Sequence, residues 1–192
     1  MACKKCCKKT ISILVFLSLL IADQISKWFV FEKLLRNDQD TSLSFVTWFT
    51  HFQTKADTIA SYADFQMIDV TSFFNLVAVW NTGVSFGIFQ NSGDMGTYLL
   101  SGFAVLCGVV LLIWGLKSSH CIERLACMMI AAGSFGNAWD RIRFKAVADF
   151  VDVHVAGYHW PAFNVADSAI TLGAGLFIVY IVCIEKSKGQ DK

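Results

Sequence analysis

Four long apolar stretches constrain the fold of this chain more than any other feature of its sequence. They cover residues 10–31, 97–116, 121–139 and 163–184, and each approaches the roughly 20 residues that cross about 30 Å of hydrocarbon. Charged residues make up only 16% of the 192 residues, against about 25% in soluble domains. The sequence therefore predicts an all-α polytopic membrane protein, with four transmembrane helices in a single domain that covers residues 1–192.

The distribution of Lys and Arg predicts the orientation. Nine of the 16 basic residues fall in the 25 positions of segments 1–9, 117–124 and 185–192. Because basic residues collect on the cytoplasmic side, both termini are expected there. The alternative of a cleaved signal peptide at the first stretch is disfavoured, since no small-x-small site precedes Asp23 and the apolar character resumes after Lys27. The net charge of +1 gives no indication of a nucleic-acid partner.

The residues between the first two stretches, about 37–96, predict a small strand-containing lobe outside the cytoplasm. Its first part, 37–71, mixes aromatic residues with scattered carboxylates, which suits either such a lobe or an element resting on the outer leaflet. None of the seven cysteines falls in a predicted outer loop, so no disulfide framework is indicated. The N-terminal Cys3, Cys6 and Cys7 are interpreted as reduced thiols, with S-acylation as the next possibility.

Several polar residues interrupt the apolar pattern where ionisable groups are costly and usually functional. Asp23 and Lys27 are four residues apart, so they share a helix face and can pair. The pair either anchors the helix, with its charged ends extending outward to water, or contacts a substrate. Asn81 and Gly83 follow an apolar run as a turn-like Asn-Thr-Gly. At the end of the third stretch, Gly133 and Gly136 allow close helix contact, and three polar residues follow them: Asn137, Asp140 and Arg141. These residues either belong to a functional site or serve helix packing together with an ion pair at the membrane interface.

Two further carboxylates have apolar neighbours. If residues 147–155 are extended, Asp149 shares a face with valines and Asp152 points the other way. Asp167 falls in the first turn of the fourth helix, where a carboxylate is favoured, and Asn164 can cap that helix. A pair formed by Asp149 and Asp167 would share a proton, and such a pair suits hydrolysis: one carboxylate activates water while its protonated partner polarises a carbonyl.

No cofactor or metal is predicted. His154 and His159 flank Tyr158, but the sequence offers no third ligand for a zinc site, and it contains no serine nucleophile elbow that would compete with the carboxylates.

Five blocks, spread over residues 23–167 and in the same order, resemble the lipoprotein signal peptidases (signal peptidase II). The blocks are Asp23-x-x-x-Lys27, then Phe74-x-Leu76-x-x-Val79-x-Asn81-x-Gly83-x-x-Phe86-Gly87, then Gly133-x-x-Gly136-Asn137-x-x-Asp140-Arg141, then Val147-x-Asp149-Phe150, and finally Phe163-Asn164-x-Ala166-Asp167. Each block alone is weak, and their joint occurrence is specific.

The resemblance implies an aspartyl endopeptidase of the bacterial inner membrane that cleaves signal peptides before a diacylglyceryl-modified Cys. By motif position, Asp149 and Asp167 correspond to the catalytic pair, whereas Asp140 and Asp152 do not. The supporting or substrate-binding positions are Asn81, Gly83, Asn137, Arg141, Asn164, Asp23 and Lys27. The site is expected at the periplasmic face. The expected partners are lipid-modified prolipoproteins and membrane lipids, with the chain acting as a monomer.

The chain departs from the family pattern in the second block and in the length of segment 37–71. Val84 and Ser85 stand where alanines are usual, and Val77 replaces a threonine; these changes concern the shape of the substrate groove. The sequence fits two other classes of protein less well. A small transporter using Asp23, Lys27 and Asp167 as a relay would need charges through several spans, and the second span has none. A scaffold built on small-residue packing leaves both carboxylates unexplained.

Overall fold

The computed structural model describes residues 2–83 and 93–190. Val84, Ser85, Phe86 and Gly87 of the second sequence block lie outside the described residues, as does Lys192. The side chains of residues 2–8, which include the three N-terminal cysteines, are likewise not described.

Four long helices form most of the molecule. Helix α1 (Ala2–Trp28) continues as a π-helical segment to Leu35, and α4 (Gly93–Lys117), α5 (Cys121–Phe144) and α6 (Val165–Gln190) follow the lobe. Three segments of the described chain are long and apolar enough to cross a membrane: Lys9–Leu35, Met95–Lys117 and Val165–Cys183. The remaining predicted span, 121–139, forms most of α5, whose charged residues lie near its two ends.

The lobe between α1 and α4 contains strands, as predicted, and short helices. Helices α2 (Phe45–Thr50) and α3 (Lys55–Ala60) precede strands β1 (Ile68–Thr71) and β2 (Phe74–Asn81). Strand β3 (Val147–Val155) follows α5, and a turn leads to the two-residue strand β4 (Tyr158–His159). The four strands form one antiparallel sheet in the order β1-β2-β3-β4. The sheet therefore joins the residues before α4 to those between α5 and α6.

An aromatic core attaches the sheet to the C-terminal ends of α1 and α5. Phe31 and Leu35 at the end of α1 are fully buried, and they pack with Trp80 of β2 and Phe144 of α5. The ring centroids of Phe31 and Trp80 are 4.8 Å apart, and those of Trp80 and Phe144 are 5.1 Å apart. Burying large apolar side chains contributes about 1.5–3 kcal/mol each, so this core fixes where β2 and β3 lie relative to the helices.

Helices α5 and α6 approach each other closely at small residues. A Cβ atom on Gly133 would collide with the backbone oxygen of Ala166 and the side chain of Ile170. The small-residue spacing predicted to allow close helix contact thus brings α5 against the first turn of α6. That turn carries Asp167, so the packing sets the position of this carboxylate relative to Asn137 on α5.

Candidate active site

The start of helix α6 holds Asp167 in a reciprocal cap. Asn164 precedes the helix, and its Oδ1 accepts a hydrogen bond from the backbone N–H of Asp167 at 2.9 Å. In return, the backbone N–H of Asn164 donates to Asp167 Oδ2 at 3.2 Å. This is the geometry of a capping box, in which the cap residue and the third helical residue satisfy each other. The orientation of Asp167 thus follows directly from the local sequence Asn-x-x-Asp.

Asp149 reaches the same site from the sheet. Its side chain is 1% exposed, and both of its carboxylate oxygens accept hydrogen bonds from amides. Asn164 Nδ2 donates to Oδ1 at 2.7 Å, and Asn81 Nδ2 donates to Oδ2 at 3.1 Å. Asn164 therefore contacts both carboxylates. Its side-chain amide donates to Asp149, and its backbone N–H donates to Asp167. We call Asp149 and Asp167 the aspartate pair.

Burial, and after it the negative charge of Asp167, raise the pKa of Asp149 to about 8, although Lys27 and the amides of Asn81 and Asn164 act in the opposite direction. A carboxyl group with this pKa holds a proton at neutral pH. The site thus combines a proton donor with a second carboxylate in one place.

Asn81 and Gly83 fix the loop beside Asp149. Asn81 Oδ1 accepts the backbone N–H of Gly83 at 3.1 Å, which leaves the amide nitrogen of Asn81 directed at Asp149. The guanidinium of Arg141 donates to the backbone oxygen of Gly83 at 2.8 Å. The Nε atom of Arg141 is buried without a hydrogen-bond partner among the described residues. Arg141 thus ties the loop to α5 and retains one unused donor at the site.

The aspartate pair faces a cavity of about 660 Å³. Asn81, Asn137 and Arg141 supply polar groups to its lining, together with both carboxylates. Four consecutive residues, 160–163, form another part of the lining, and α6 contributes residues as far as Leu172. The volume falls within the 300–1,000 Å³ typical of ligand sites. The carboxylates therefore face a space of the size that binds ligands.

A second group of charges lies behind the cavity. Lys27 Nζ is 2.8 Å from Asp23 Oδ2 and 2.7 Å from Asp140 Oδ2, and Arg143 is 3.1 Å from Asp140 Oδ1. All four side chains are at most 1% exposed. We call these residues, two cations and two anions, the four-charge cluster. Lys27 does not extend outward to water, which was one expectation from the sequence, because Asp140 on α5 holds its ammonium group in the interior.

Hydrogen bonds connect the four-charge cluster to the aspartate pair. Lys27 Nζ donates to Asn137 Oδ1 at 3.3 Å, and Asn137 Nδ2 donates to Asp167 Oδ1 at 2.7 Å. Asp23 Oδ1 accepts the backbone N–H of Ala166, in the first turn of α6, at 2.9 Å. The cluster thus holds both the amide that contacts Asp167 and the helix turn that carries it, without itself lining the cavity.

The structure brings all nine residues singled out in the sequence into this region. The interfacial ion pair considered for Asp140 and Arg141 is wrong, because Asp140 bonds to Lys27 and Arg143 while Arg141 bonds to Gly83. Sequence reasoning missed Gln24 and Arg143. Gln24 donates to Asp23 and Asp140 and accepts from Arg143. The available signal was the i,i+3 spacing of Asp140 and Arg143.

Asp152 lies apart from the aspartate pair. It accepts hydrogen bonds from Asn75 and His159 and is not part of the cavity lining. Asp149 pairs in register with Val79 of β2, and Asp152 with Asn75. The two carboxylates of β3 therefore have separate surroundings, as the alternation of an extended strand requires.

Comparison with known proteins gives a consistent result. Residues 15–183 match the family described as signal peptidase (SPase) II. A lipoprotein signal peptidase of Janthinobacterium sp. (strain Marseille) is 44% identical over 112 residues, which cover 57% of this chain and 67% of the relative. One from Alteromonas mediterranea is 41% identical over 129 residues, covering 66% and 69%.

The fold also resembles solved structures. A bacterial membrane enzyme determined by the in meso method at 2.3 Å resolution superposes with a TM-score of 0.67 at 22% identity, covering 93% of this chain and 92% of that one. A second, determined at 1.9 Å, gives a TM-score of 0.62 at 23% identity, covering 90% and 92%. At this level of identity the likeness concerns the fold.

Proposed function

The chain belongs to the signal peptidase II family, and we propose that it removes signal peptides from lipid-modified prolipoproteins by aspartic chemistry at Asp149 and Asp167. The observation that carries the proposal is the convergence of two carboxylates, linked through Asn164, on one cavity of about 660 Å³. Family membership makes the protein a peptidase. The bond it cleaves, immediately before a diacylglyceryl-modified Cys, is part of the proposal.

In the proposed reaction, Asp149 holds the proton and Asp167 acts as the base. Asp167 takes a proton from a water molecule, whose oxygen attacks the scissile carbonyl carbon. Asp149 transfers its proton to the carbonyl oxygen, which gives a neutral tetrahedral diol. Collapse of the diol breaks the C–N bond: one hydroxyl proton returns to Asp149, and the proton on Asp167 passes to the departing amine. The cycle ends with the pair in its starting state, as in two-carboxylate peptidases.

The amides around the pair have separate roles in this proposal. Asn81 and Asn164 orient Asp149, and Asn137 orients Asp167. Arg141 has a buried Nε–H without a partner among the described residues, and this donor is available to a substrate carbonyl. Preorganised donors of this kind stabilise charge that develops during the reaction.

The proposal includes a position in the cell. We expect four spans in the bacterial inner membrane, with α5 as the fourth, both termini in the cytoplasm and the aspartate pair at the periplasmic face. The lysine-rich ends of the chain support this orientation. A membrane-impermeant thiol reagent applied to intact cells should leave Cys3 unlabelled. Labelling of Cys3 would reverse the orientation.

The experiment that tests the activity uses purified protein and a diacylglyceryl-modified prolipoprotein. Release of the signal peptide, with the new N-terminus at the modified Cys by mass spectrometry, is the expected result. The same prolipoprotein without the lipid is the matched control, and we expect it to be cleaved much more slowly. Absence of cleavage by folded protein would contradict the proposed function.

A further inference from the structure

The β3–β4 hairpin carries a polar cluster that the proposed chemistry does not use. His159 Nδ1 lies 2.9 Å from both carboxylate oxygens of Asp152. Asn75 Nδ2 donates to Asp152 Oδ2 at 3.0 Å. The ring of His154 stacks on that of His159, with centroids 4.8 Å apart and planes at 24°.

Asp152 has a fixed geometry in this cluster. Its side chain is only 10% exposed, whereas that of His159 is 52% exposed. A carboxylate removed from water needs hydrogen-bond donors to offset its desolvation. Asn75 supplies one donor from the neighbouring strand β2, and His159 supplies the other from β4. The half-exposed imidazole is therefore held at a defined place on the hairpin by a buried partner.

His159 immediately precedes residues 160–163, which line the cavity at the aspartate pair. We call these four residues the wall segment. Its first backbone N–H, that of Trp160, donates to the oxygen of Val153 at 2.8 Å, and its last, that of Phe163, donates to the oxygen of Val151 at 3.1 Å. Asn164, the next residue, bonds to Asp149. The wall segment thus runs from the His159 contact to the aspartate pair.

We infer that His159 is a positioning residue, which through its bond to Asp152 holds the wall segment in the conformation that receives the peptide substrate. This inference rests on the proposed function. Strand β4 has only two residues, and a pairing this short contributes little stability by itself. Backbone hydrogen bonds hold the wall segment at Trp160 and Phe163, and the bond between His159 and Asp152 adds a side-chain restraint where the segment begins.

The inference predicts an effect on substrate binding. None of the hydrogen bonds recorded for the aspartate pair comes from His159, so loosening the wall segment leaves the reacting carboxylates in place. A wall that contacts the substrate equally in the ground state and the transition state contributes uniform binding, and its loss raises KM at unchanged kcat.

Three substitutions of His159 separate the hydrogen bond from simple packing. Both His159→Ala and His159→Leu remove the donor, and Leu keeps much of the volume. His159→Asn keeps a neutral N–H donor at the position of Nδ1. We expect the first two to raise KM for the lipid-modified prolipoprotein about tenfold, the size expected for one hydrogen bond to a charged group, with kcat within about twofold. His159→Asn should restore most of the loss, and the matched control Tyr158→Ala, on the other exposed position of β4, should behave as the parent protein.

A double substitution tests whether His159 acts through Asp152. If it does, the double variant with Asp152→Ala and His159→Ala should raise KM no more than either single substitution does, because the effects of two residues in one contact are not additive. The inference is overturned if His159→Ala leaves KM unchanged, if His159→Asn is as impaired as His159→Ala, or if the loss appears in kcat alone.

Backbone amide hydrogen exchange measures how firmly the wall segment is held, without any substrate. The amides of Trp160 and Phe163 should exchange faster in His159→Ala and return to parental rates in His159→Asn. If the parent protein cleaves no prolipoprotein but its amides respond in this way, the restraint holds and the proposed function fails. Unchanged amide exchange in His159→Ala overturns the inference whatever the activity.

Discussion

The aspartate pair and the four-charge cluster are neighbours built from similar residues, and they differ in how their charges are compensated. In the four-charge cluster each carboxylate is within 4 Å of a cation, and the sum of two anions and two cations is zero. In the part of the chain that the structure describes, no cation lies within that distance of Asp149 or Asp167. Their partners are the neutral amides of Asn81, Asn137 and Asn164, with one backbone N–H.

The difference concerns the charge that surrounds each carboxylate. The two carboxylates of the four-charge cluster have Lys27 and Arg143 as ion-pair partners. Asp149 has burial and a like charge beside it, and its pKa rises to about 8. In the proposed function, the four-charge cluster supports the site and Asp149 holds the proton at the cavity. Each of the following changes tests one side of this comparison.

Replacing a carboxylate of the aspartate pair should have the largest effect. Asn has nearly the same shape as Asp but neither accepts a proton from water nor holds one for the carbonyl. We expect Asp149→Asn and Asp167→Asn each to lower the single-turnover rate by at least about 10²–10⁴, with the double variant little worse. Asp69→Asn, on the exposed strand β1, is the matched control. Normal turnover by either variant of the pair would exclude aspartic chemistry at these residues.

Removing the central cation of the four-charge cluster should chiefly reduce stability. Lys27→Ala leaves Asp23 with no cation within 4 Å among the described residues, and deleting one member of a buried ion pair typically costs about 3–5 kcal/mol. We expect a large fall in Tm in detergent, with turnover remaining in the fraction that folds. The control is Lys33→Ala, an exposed lysine whose Nζ donates to Ser42. An unchanged Tm for Lys27→Ala would show that the cluster is not a support.

Crowding the four-charge cluster without changing any charge should have a smaller effect. A Cβ at position 136 would lie 2.6 Å from Asp23 Oδ2, so Gly136→Ala must displace the carboxylate or separate α1 from α5. Overpacking of this kind costs about 1–3 kcal/mol. Gly102→Ala adds the same methyl group where nothing lies within 4 Å and should leave Tm equal or slightly higher. Equal Tm values for the two variants would contradict the close fit at Gly136.

The pH dependence should reveal the proton of the aspartate pair. Because the pKa of Asp149 is raised to about 8, kcat should fall about tenfold per pH unit above that value as the proton is lost. Stability follows with a definite sign: the folded state keeps a proton that the unfolded chain releases near pH 4, so the free energy of unfolding falls as the pH rises from about 4 to about 8. Asp149→Asn should remove that contribution. A parent protein whose kcat is flat up to pH 10 would contradict the shared proton.

The sequence predicted those features that depend on local pattern. The apolar stretches indicated the helices, and the alternation along 147–155 separated Asp149 from Asp152. The position of Asn164 just before the fourth helix indicated that it caps the helix carrying Asp167. Each of these follows from short-range geometry, which a single sequence contains.

Features that depend on contacts between distant elements could not be predicted. Nothing in the sequence shows that Lys27 contacts Asp140, 113 positions away. The sequence also does not show that the guanidinium carbon of Arg143 lies 4.4 Å from the centroid of the Trp48 ring. The interfacial pair considered for Asp140 and Arg141 was wrong for this reason: adjacent residues on a helix point in different directions, and Asp140 is held in the interior by Lys27 and Arg143.

The most direct test of the difference between the aspartate pair and the four-charge cluster is a comparison of Asp149→Asn with Lys27→Ala in one assay. Both proteins are purified, the folded fraction of each is quantified, and the single-turnover rate of prolipoprotein cleavage is expressed per folded molecule. We predict a fully folded Asp149→Asn protein without cleavage and a poorly folded Lys27→Ala protein whose folded fraction still cleaves. The opposite result, with cleavage by Asp149→Asn and none by well-folded Lys27→Ala, would contradict the assignment of chemistry to the aspartate pair and support to the four-charge cluster.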